Sequence, residues 1–114
     1  MKKITSFLLM VIVGLGLMST TASAEIKKGK NTYLKKCKKC HGNGTKGAAL
    51  KTQSGWQEFF DNDAKLIIKA HMIKDVDKKT KSYFNGKRFQ KKAPHLKDFL
   101  YKYGSDSGNI PSCS

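Results

Sequence analysis

Apolar side chains recur every three or four residues in three stretches of the chain, and polar segments separate these stretches. Residues three and four apart share one face of a helix, so this spacing predicts three amphipathic helices. They cover 26–37, 63–76 and about 94–103. No stretch of the chain after residue 25 is rich in strand-forming residues. We therefore expect an all-α domain of three to four helices.

Glycine, proline and polar residues mark the segments between and after these helices. Pro94 suits the first turn of the last helix, and Gly104 lies just past its end. The segments 41–55 and 77–93 are polar and contain glycine, so both are predicted to be loops. The tail 105–114 has a turn-like composition.

The first residues have the pattern of an export signal. Two lysines precede an apolar run at 7–18 that is too short to span a bilayer comfortably. Ala22 and Ala24 then form the small-x-small pattern that signal peptidase cleaves after. We expect 1–24 to be a signal peptide cleaved after Ala24, and 25–114 to reach the periplasm. An uncleaved membrane anchor is the alternative.

Charge narrows the range of partners. The chain has 114 residues, which suggests one domain, and Lys and Arg outnumber Asp and Glu by 23 to 8. A strongly basic protein often binds nucleic acid. Export argues against that partner, because little nucleic acid is present outside the cytoplasm. Acidic proteins and peripheral contact with anionic lipid surfaces remain. A domain this small often needs a disulfide, a metal or a large cofactor to be stable.

The strongest motif is Cys-x-x-Cys-His at Cys37, Cys40 and His41, which is the attachment signature of a c-type haem. Two cysteines three apart on a helical turn can each form a thioether to one haem vinyl group. The following histidine is then carried under the iron as its proximal ligand. We therefore predict one covalent haem c held by these three residues.

Two other interpretations use the same side chains. A thioredoxin-like redox pair normally lies in a βαβ context, which this chain lacks. A structural zinc site needs four ligands. Cys37, Cys40 and two of the three histidines supply that number, but their spacing is unlike that of a zinc finger.

With Cys37, Cys40 and His41, the chain resembles a small bacterial class I cytochrome c. Gly29 and Tyr33 resemble the Gly-x-x-x-aromatic element of that family's first helix. The resemblance implies a helical shell around one covalent haem over 25–104, and electron transfer as its function. It also implies that the first helix crosses the last at the glycine, with aromatic side chains at the crossing. The candidates there are Leu100 and Tyr101 or Tyr103.

The sixth iron ligand departs from the family pattern, which takes a methionine from the loop before the last helix. That loop has no methionine, and Met72 is the only one after residue 24. If the second helix continues to Val76, helical phase puts His71 on its apolar face and Met72 at the edge. His71 is thus the first candidate, Met72 the second, and His95 or an open site the remainder.

Two further residues are candidates for roles beside the haem. Trp56 is predicted to lie near a haem propionate and to donate its indole N–H. Cys113 is the one thiol outside the motif. Three roles are open for it, in order of preference: an incidental tail residue, an intermolecular disulfide with a second copy of the chain or with a partner, and a thiolate ligand of the iron.

These features predict a periplasmic carrier of single electrons between respiratory redox partners. No catalytic acid–base pair is evident, so we do not expect an enzyme. A dedicated cytochrome subunit of one periplasmic oxidoreductase and a haem-based sensor of small ligands are the alternatives. Lysines around the motif are expected to dock an acidic patch of the partner; they are Lys35, Lys36, Lys38, Lys39 and Lys46.

Overall fold

The computed structural model describes residues 24–111. The residues before Ala24, which include most of the predicted signal peptide, and Cys113 lie outside the described residues. Six helices and no strand occur in 24–111, so the predicted all-α class is confirmed. The helices are α1 (24–36), α2 (Lys38–His41), α3 (Gly44–Ala48), α4 (Gln53–Ala70), α5 (Lys78–Phe84) and α6 (Lys87–Lys102). None of the helices in this range is both long and apolar enough to cross a membrane.

The crossing of α1 and α6 depends on Gly29. A side-chain methyl at this position would collide with the backbone oxygen of His95 and lie 2.9 Å from Cβ of Phe99. The aromatic pair at the crossing is Tyr33 and Phe99, whose ring centres are 5.7 Å apart. The close approach at the glycine is therefore as expected, but Phe99 takes the place predicted for Leu100, Tyr101 or Tyr103.

The core lies between α4 and α6. Phe89, Leu96 and Phe99 of α6 are fully buried, and Trp56 and Ile67 of α4 are nearly so. Burying a side chain of this size stabilises the fold by about 1.5–3 kcal/mol. The amphipathic pattern of the last helix thus predicted its buried face correctly.

Helix α4 differs from the predicted helix 63–76 at both ends. It begins ten residues earlier because the side chain of Thr52 accepts a hydrogen bond from the Gly55 N–H at 3.1 Å. It is interrupted over 61–64, where Asn62, Asp63 and Ala64 have positive φ. Asn and Asp tolerate this left-handed conformation better than most residues.

Helix α4 ends at Ala70 because the His71 side chain takes over a backbone acceptor. Nδ1 of His71 lies 2.7 Å from the carbonyl oxygen of Ile67, which the next helical N–H would otherwise use. The backbone N–H of His71 bonds instead to the carbonyl of Ile68 at 3.0 Å. The prediction that the helix continues to Val76 is wrong.

Both predicted loops contain helices. Asn43 caps α3 by accepting from the Lys46 N–H at 2.9 Å, and Asp77 caps α5 by accepting from the Thr80 N–H at 2.7 Å. Pro94 is in the interior of α6 rather than in its first turn, because that helix begins at Lys87. The chain therefore has more helices than the three to four expected.

Candidate haem-binding site

An apolar cleft opens beside the Cys-x-x-Cys-His motif. It has about 740 Å³ of space not occupied by atoms, counting its open mouth. All six helices of the described range contribute to its walls, together with the turns at Cys37, Leu50 and His71. Its apolar lining includes Leu50, Trp56, Phe59, Ile67, Phe84 and Leu100.

Cys37 lies at the junction of α1 and α2, and the rest of the motif is the single helical turn of α2. The His41 N–H donates to the Cys37 carbonyl at 2.9 Å, which brings Cys37 and His41 to the same wall of the cleft. Both thiols of the motif are free, Cys37 partly buried and Cys40 exposed. Burial, and to a smaller extent the neighbouring Cys40, raises the pKa of Cys37 to about 12.

His71 reaches the opposite side of the same cleft. The ring centres of His41 and His71 are 6.0 Å apart, and their planes are nearly perpendicular at 85°. Two metal–nitrogen bonds of about 2 Å, with about 1 Å from each nitrogen to its ring centre, give about 6 Å between two axial imidazoles. The separation therefore fits one metal atom between the rings.

Two contacts fix the ring of His71. Its Nδ1 bonds to the carbonyl oxygen of Ile67, and Phe84 stacks on its face with ring centres 3.9 Å apart and planes 13° from parallel. The Nδ1–H donates to that carbonyl, so Nε2 is left as the nitrogen that can bind a metal. Histidine ligands in proteins are commonly held in this way.

The imidazole of His41 is suited to bind a metal at neutral pH. Desolvation in the cleft, with a smaller contribution from His71, lowers its pKa below the usual value. A neutral imidazole has the free lone pair that a metal ligand needs.

Tyr33 holds the segment that follows the motif. Its hydroxyl lies 2.8 Å from the carbonyl oxygen of Gly42 and 3.0 Å from that of Asn43. Gly47 packs against the ring so closely that a methyl there would collide with it. Burial, and less strongly Cys37, raises the pKa of Tyr33 to about 12, so its hydroxyl keeps the donor proton.

Trp56 lines the cleft, as expected for a residue beside the haem. Its indole N–H donates to the carbonyl of Ala48 at 2.7 Å. The N–H already has a backbone acceptor, so the predicted donation to a propionate would require this bond to be shared or broken. Trp56 instead ties α4 to the end of α3.

The two other candidates for the sixth ligand do not line the cleft. Met72 is partly buried against the core, and its sulfur lies 3.5 Å from Nδ2 of Asn85. His95 lies on α6 at the crossing with α1, and its Nδ1 is buried without a hydrogen-bond partner. The structure thus places His71, and neither of the alternatives, opposite His41. Within 24–111 no three metal-ligating side chains cluster as a structural zinc site would require.

Phe84 is a residue of the site that sequence reasoning did not identify. It is buried, lines the cleft and stacks on His71. It lies in the segment 77–93, which was predicted to be a loop. Asp77 followed three residues later by Thr80, with Tyr83 and Phe84 beyond, is the available signal for a short capped helix with an apolar end.

The helical fold and the motif at the mouth of this cleft define a c-type cytochrome domain. The chain belongs to the family described as cytochrome c oxidase, cbb3-type, subunit III, whose model matches residues 24–98. This match confirms the resemblance to small c-type cytochromes and implies covalently bound haem c. No curated protein and no solved structure matched the chain.

Proposed function

We propose that this protein carries single electrons between redox proteins in the periplasm, through one haem c. Cys37 and Cys40 would form its thioethers, and His41 and His71 would bind the iron from opposite sides. The haem, when bound, supplies the one-electron chemistry. The observation that carries the proposal is the pair of facing imidazoles, 6.0 Å between ring centres, beside two free thiols in an apolar cleft.

The residues of the cleft have three tasks. The Cys37 turn holds the proximal histidine, and the end of α4 holds the distal one through the bond to Ile67. Apolar side chains such as Phe59 and Leu100 line the cleft and would exclude water from a bound haem. Lower polarity around the iron changes its reduction potential, as does the choice of axial ligand.

Ligation by two histidines has a consequence for the potential. A methionine thioether raises the potential of haem iron relative to a second imidazole. We therefore expect a carrier of lower potential than a His–Met cytochrome.

The charge of the protein supports an acidic redox partner. Lys38 and Lys39 lie within the motif and Lys46 follows it, and all three are exposed. Such a cationic collar steers the protein toward an acidic docking patch and speeds association at low salt. The same lysines would allow peripheral contact with an anionic membrane surface.

A second candidate is a dedicated cytochrome subunit of one oxidoreductase. The family description favours it, because it names a subunit of an oxidase. A disulfide through Cys113 would tie the protein to such a partner, and co-purification through a reducible bond would support this function. The ligand-sensor alternative requires an open sixth position, which His71 would close.

Visible spectra of the exported, haem-loaded protein test the proposal. We expect covalent haem at one iron per chain, a low-spin spectrum in both oxidation states, and no weak far-red band of a Met–Fe(III) bond. A colourless protein, or one whose cysteines are joined to each other, would disprove haem attachment. If the far-red band is present, haem attachment stands, but the sixth ligand of the iron is Met72 and not His71.

A further inference from the structure

A second concave surface lies outside the cleft. Cationic side chains from two helices line it, and about 840 Å³ of space, counting the open mouth, lies between them. We call it the cationic groove. Asn31, Thr32 and Tyr83 add hydrogen-bonding groups, and none of the described residues that line it carries a carboxylate. Its charged residues are Lys28, Lys35 and Lys36 on α1, with Arg88 and Lys92 on α6.

The groove and the haem-binding cleft are back to back and share no lining residue. Three pairs of consecutive residues, 32–33, 36–37 and 83–84, each have the first member in the groove and the second in the cleft. At these positions the backbone of α1 and the end of α5 therefore run between the two surfaces.

An aromatic contact connects the two surfaces. Tyr83, in the groove, packs edge-on against Phe84 with ring centres 5.5 Å apart. Phe84 in turn stacks on His71 at 3.9 Å. Nζ of Lys36 lies 4.8 Å from the ring centre of Tyr83, so a charged group of the groove touches the first ring of this series. A partner in the groove would lie two ring contacts from the distal histidine.

We propose that the cationic groove binds an extended acidic segment of the redox partner. This contact positions the partner together with the motif face, by which we mean the exposed lysines Lys38, Lys39 and Lys46. The inference rests on the proposed function and names the partner class for it. Five cations that face one concave space without a carboxylate repel each other, and an acidic segment would relieve that repulsion.

The dimensions of the groove indicate an extended segment. Lys28 and Lys36 are eight residues apart on α1, which is about 12 Å along a helix. An extended chain covers this length with about four residues. Its side chains point alternately to opposite sides, so alternate carboxylates would meet the lysines of α1 and the cations Arg88 and Lys92 of α6.

Calorimetric titration of the haem-loaded protein with a hexaglutamate peptide tests the proposal without any electron-transfer assay. The groove variant is Lys28→Gln, Arg88→Gln and Lys92→Gln. The matched control is Lys65→Gln, Lys69→Gln and Lys74→Gln, which removes three exposed charges elsewhere. We expect the groove variant to bind about tenfold more weakly at low salt, since each exposed ion pair contributes modestly. The control is expected to change affinity by less than twofold.

A second variant separates the groove from the lysines of the motif face. Lys38→Gln, Lys39→Gln and Lys46→Gln remove charges that do not line the groove. If this variant loses as much affinity for the peptide as the groove variant, the proposal is overturned. Equal losses of affinity in the groove, control and motif-face variants would also overturn it. Unchanged visible spectra verify that each variant keeps its haem, so failure of this inference is distinct from failure of the proposed function.

Discussion

The two sides of the haem-binding cleft are built in different ways. The motif side is continuous in sequence from Cys37 to His41 and is held by local backbone bonds and by Tyr33. The distal side joins the end of α4, which presents His71, to the end of α5, which presents Phe84. The motif side is local structure, whereas the distal side exists only when two separate helix ends pack together.

This difference suggests that the two sides fail differently. Local turns form with little loss of chain entropy, whereas contacts between distant segments require loops to close. Haem attachment to Cys37 and Cys40 should therefore tolerate changes on the distal side. The ligand opposite His41 should depend on the stacking of His71, just past the end of α4, on Phe84 of α5.

Substitution of the distal histidine should have the largest effect. We expect His71→Ala to keep covalent haem but to leave the sixth position open, so that the reduced protein binds carbon monoxide. Met72→Leu, at the next residue, should keep a low-spin spectrum and bind no carbon monoxide. Visible spectra of the reduced proteins with and without the gas measure both outcomes.

The paired design makes the result decisive. Met72 is partly buried, so its substitution controls for a general loosening of the turn after α4. If Met72→Leu opens the iron and His71→Ala does not, the distal assignment is reversed. If neither variant retains haem, the proposed independence of the two sides is wrong.

Substitution of Tyr33 should weaken the motif side by an intermediate amount. Tyr33→Phe removes the hydroxyl contacts to Gly42 and Asn43 while it keeps the ring between α1 and α6. A buried hydrogen bond contributes about 0.5–1.5 kcal/mol, and the carbonyls it leaves add to the loss. We expect unfolding free energy to fall by about 1–2 kcal/mol in a denaturant titration.

Tyr101→Phe is the matched control for this change. Tyr101 is 39 % exposed, so loss of its hydroxyl should change stability little. The axial ligation of the Tyr33→Phe protein should stay as in the original, because the contacts that fix the His71 ring come from Ile67 and Phe84. Equal stability of the two variants would show that the Tyr33 hydroxyl does not stabilise the motif side.

The contrast between the sides also explains what the sequence predicted. The motif depends on short-range spacing, so it was evident from the sequence, and the close approach at Gly29 was implied by the resemblance to class I cytochromes c. The choice of His71 rested on a helix that continues to Val76, and that premise is wrong because α4 ends at Ala70. The ring faces the cleft for another reason, its bonds to Ile67 and Phe84, which only tertiary structure shows.

Acid is expected to weaken the distal side, and this is the smallest of the predicted effects. Hydrogen bonds from Thr80, chiefly from its backbone N–H, lower the pKa of Asp77, with smaller contributions from nearby lysines. A carboxyl group whose pKa is lower in the folded than in the unfolded state stabilises the fold at pH values above the unfolded-state pKa of about 3.9. This stabilisation is lost as the pH falls through the folded-state pKa. Asp77→Asn keeps a capping oxygen without the charge.

The difference in melting temperature between the original protein and Asp77→Asn should therefore be largest near neutral pH and shrink toward pH 3. Asp75→Asn removes the same charge two residues earlier, at an exposed position that does not cap α5, and serves as the control. A difference for Asp77→Asn that stays constant with pH would show that the charge of this cap does not support α5. In that case Phe84 is held against His71 by apolar packing alone.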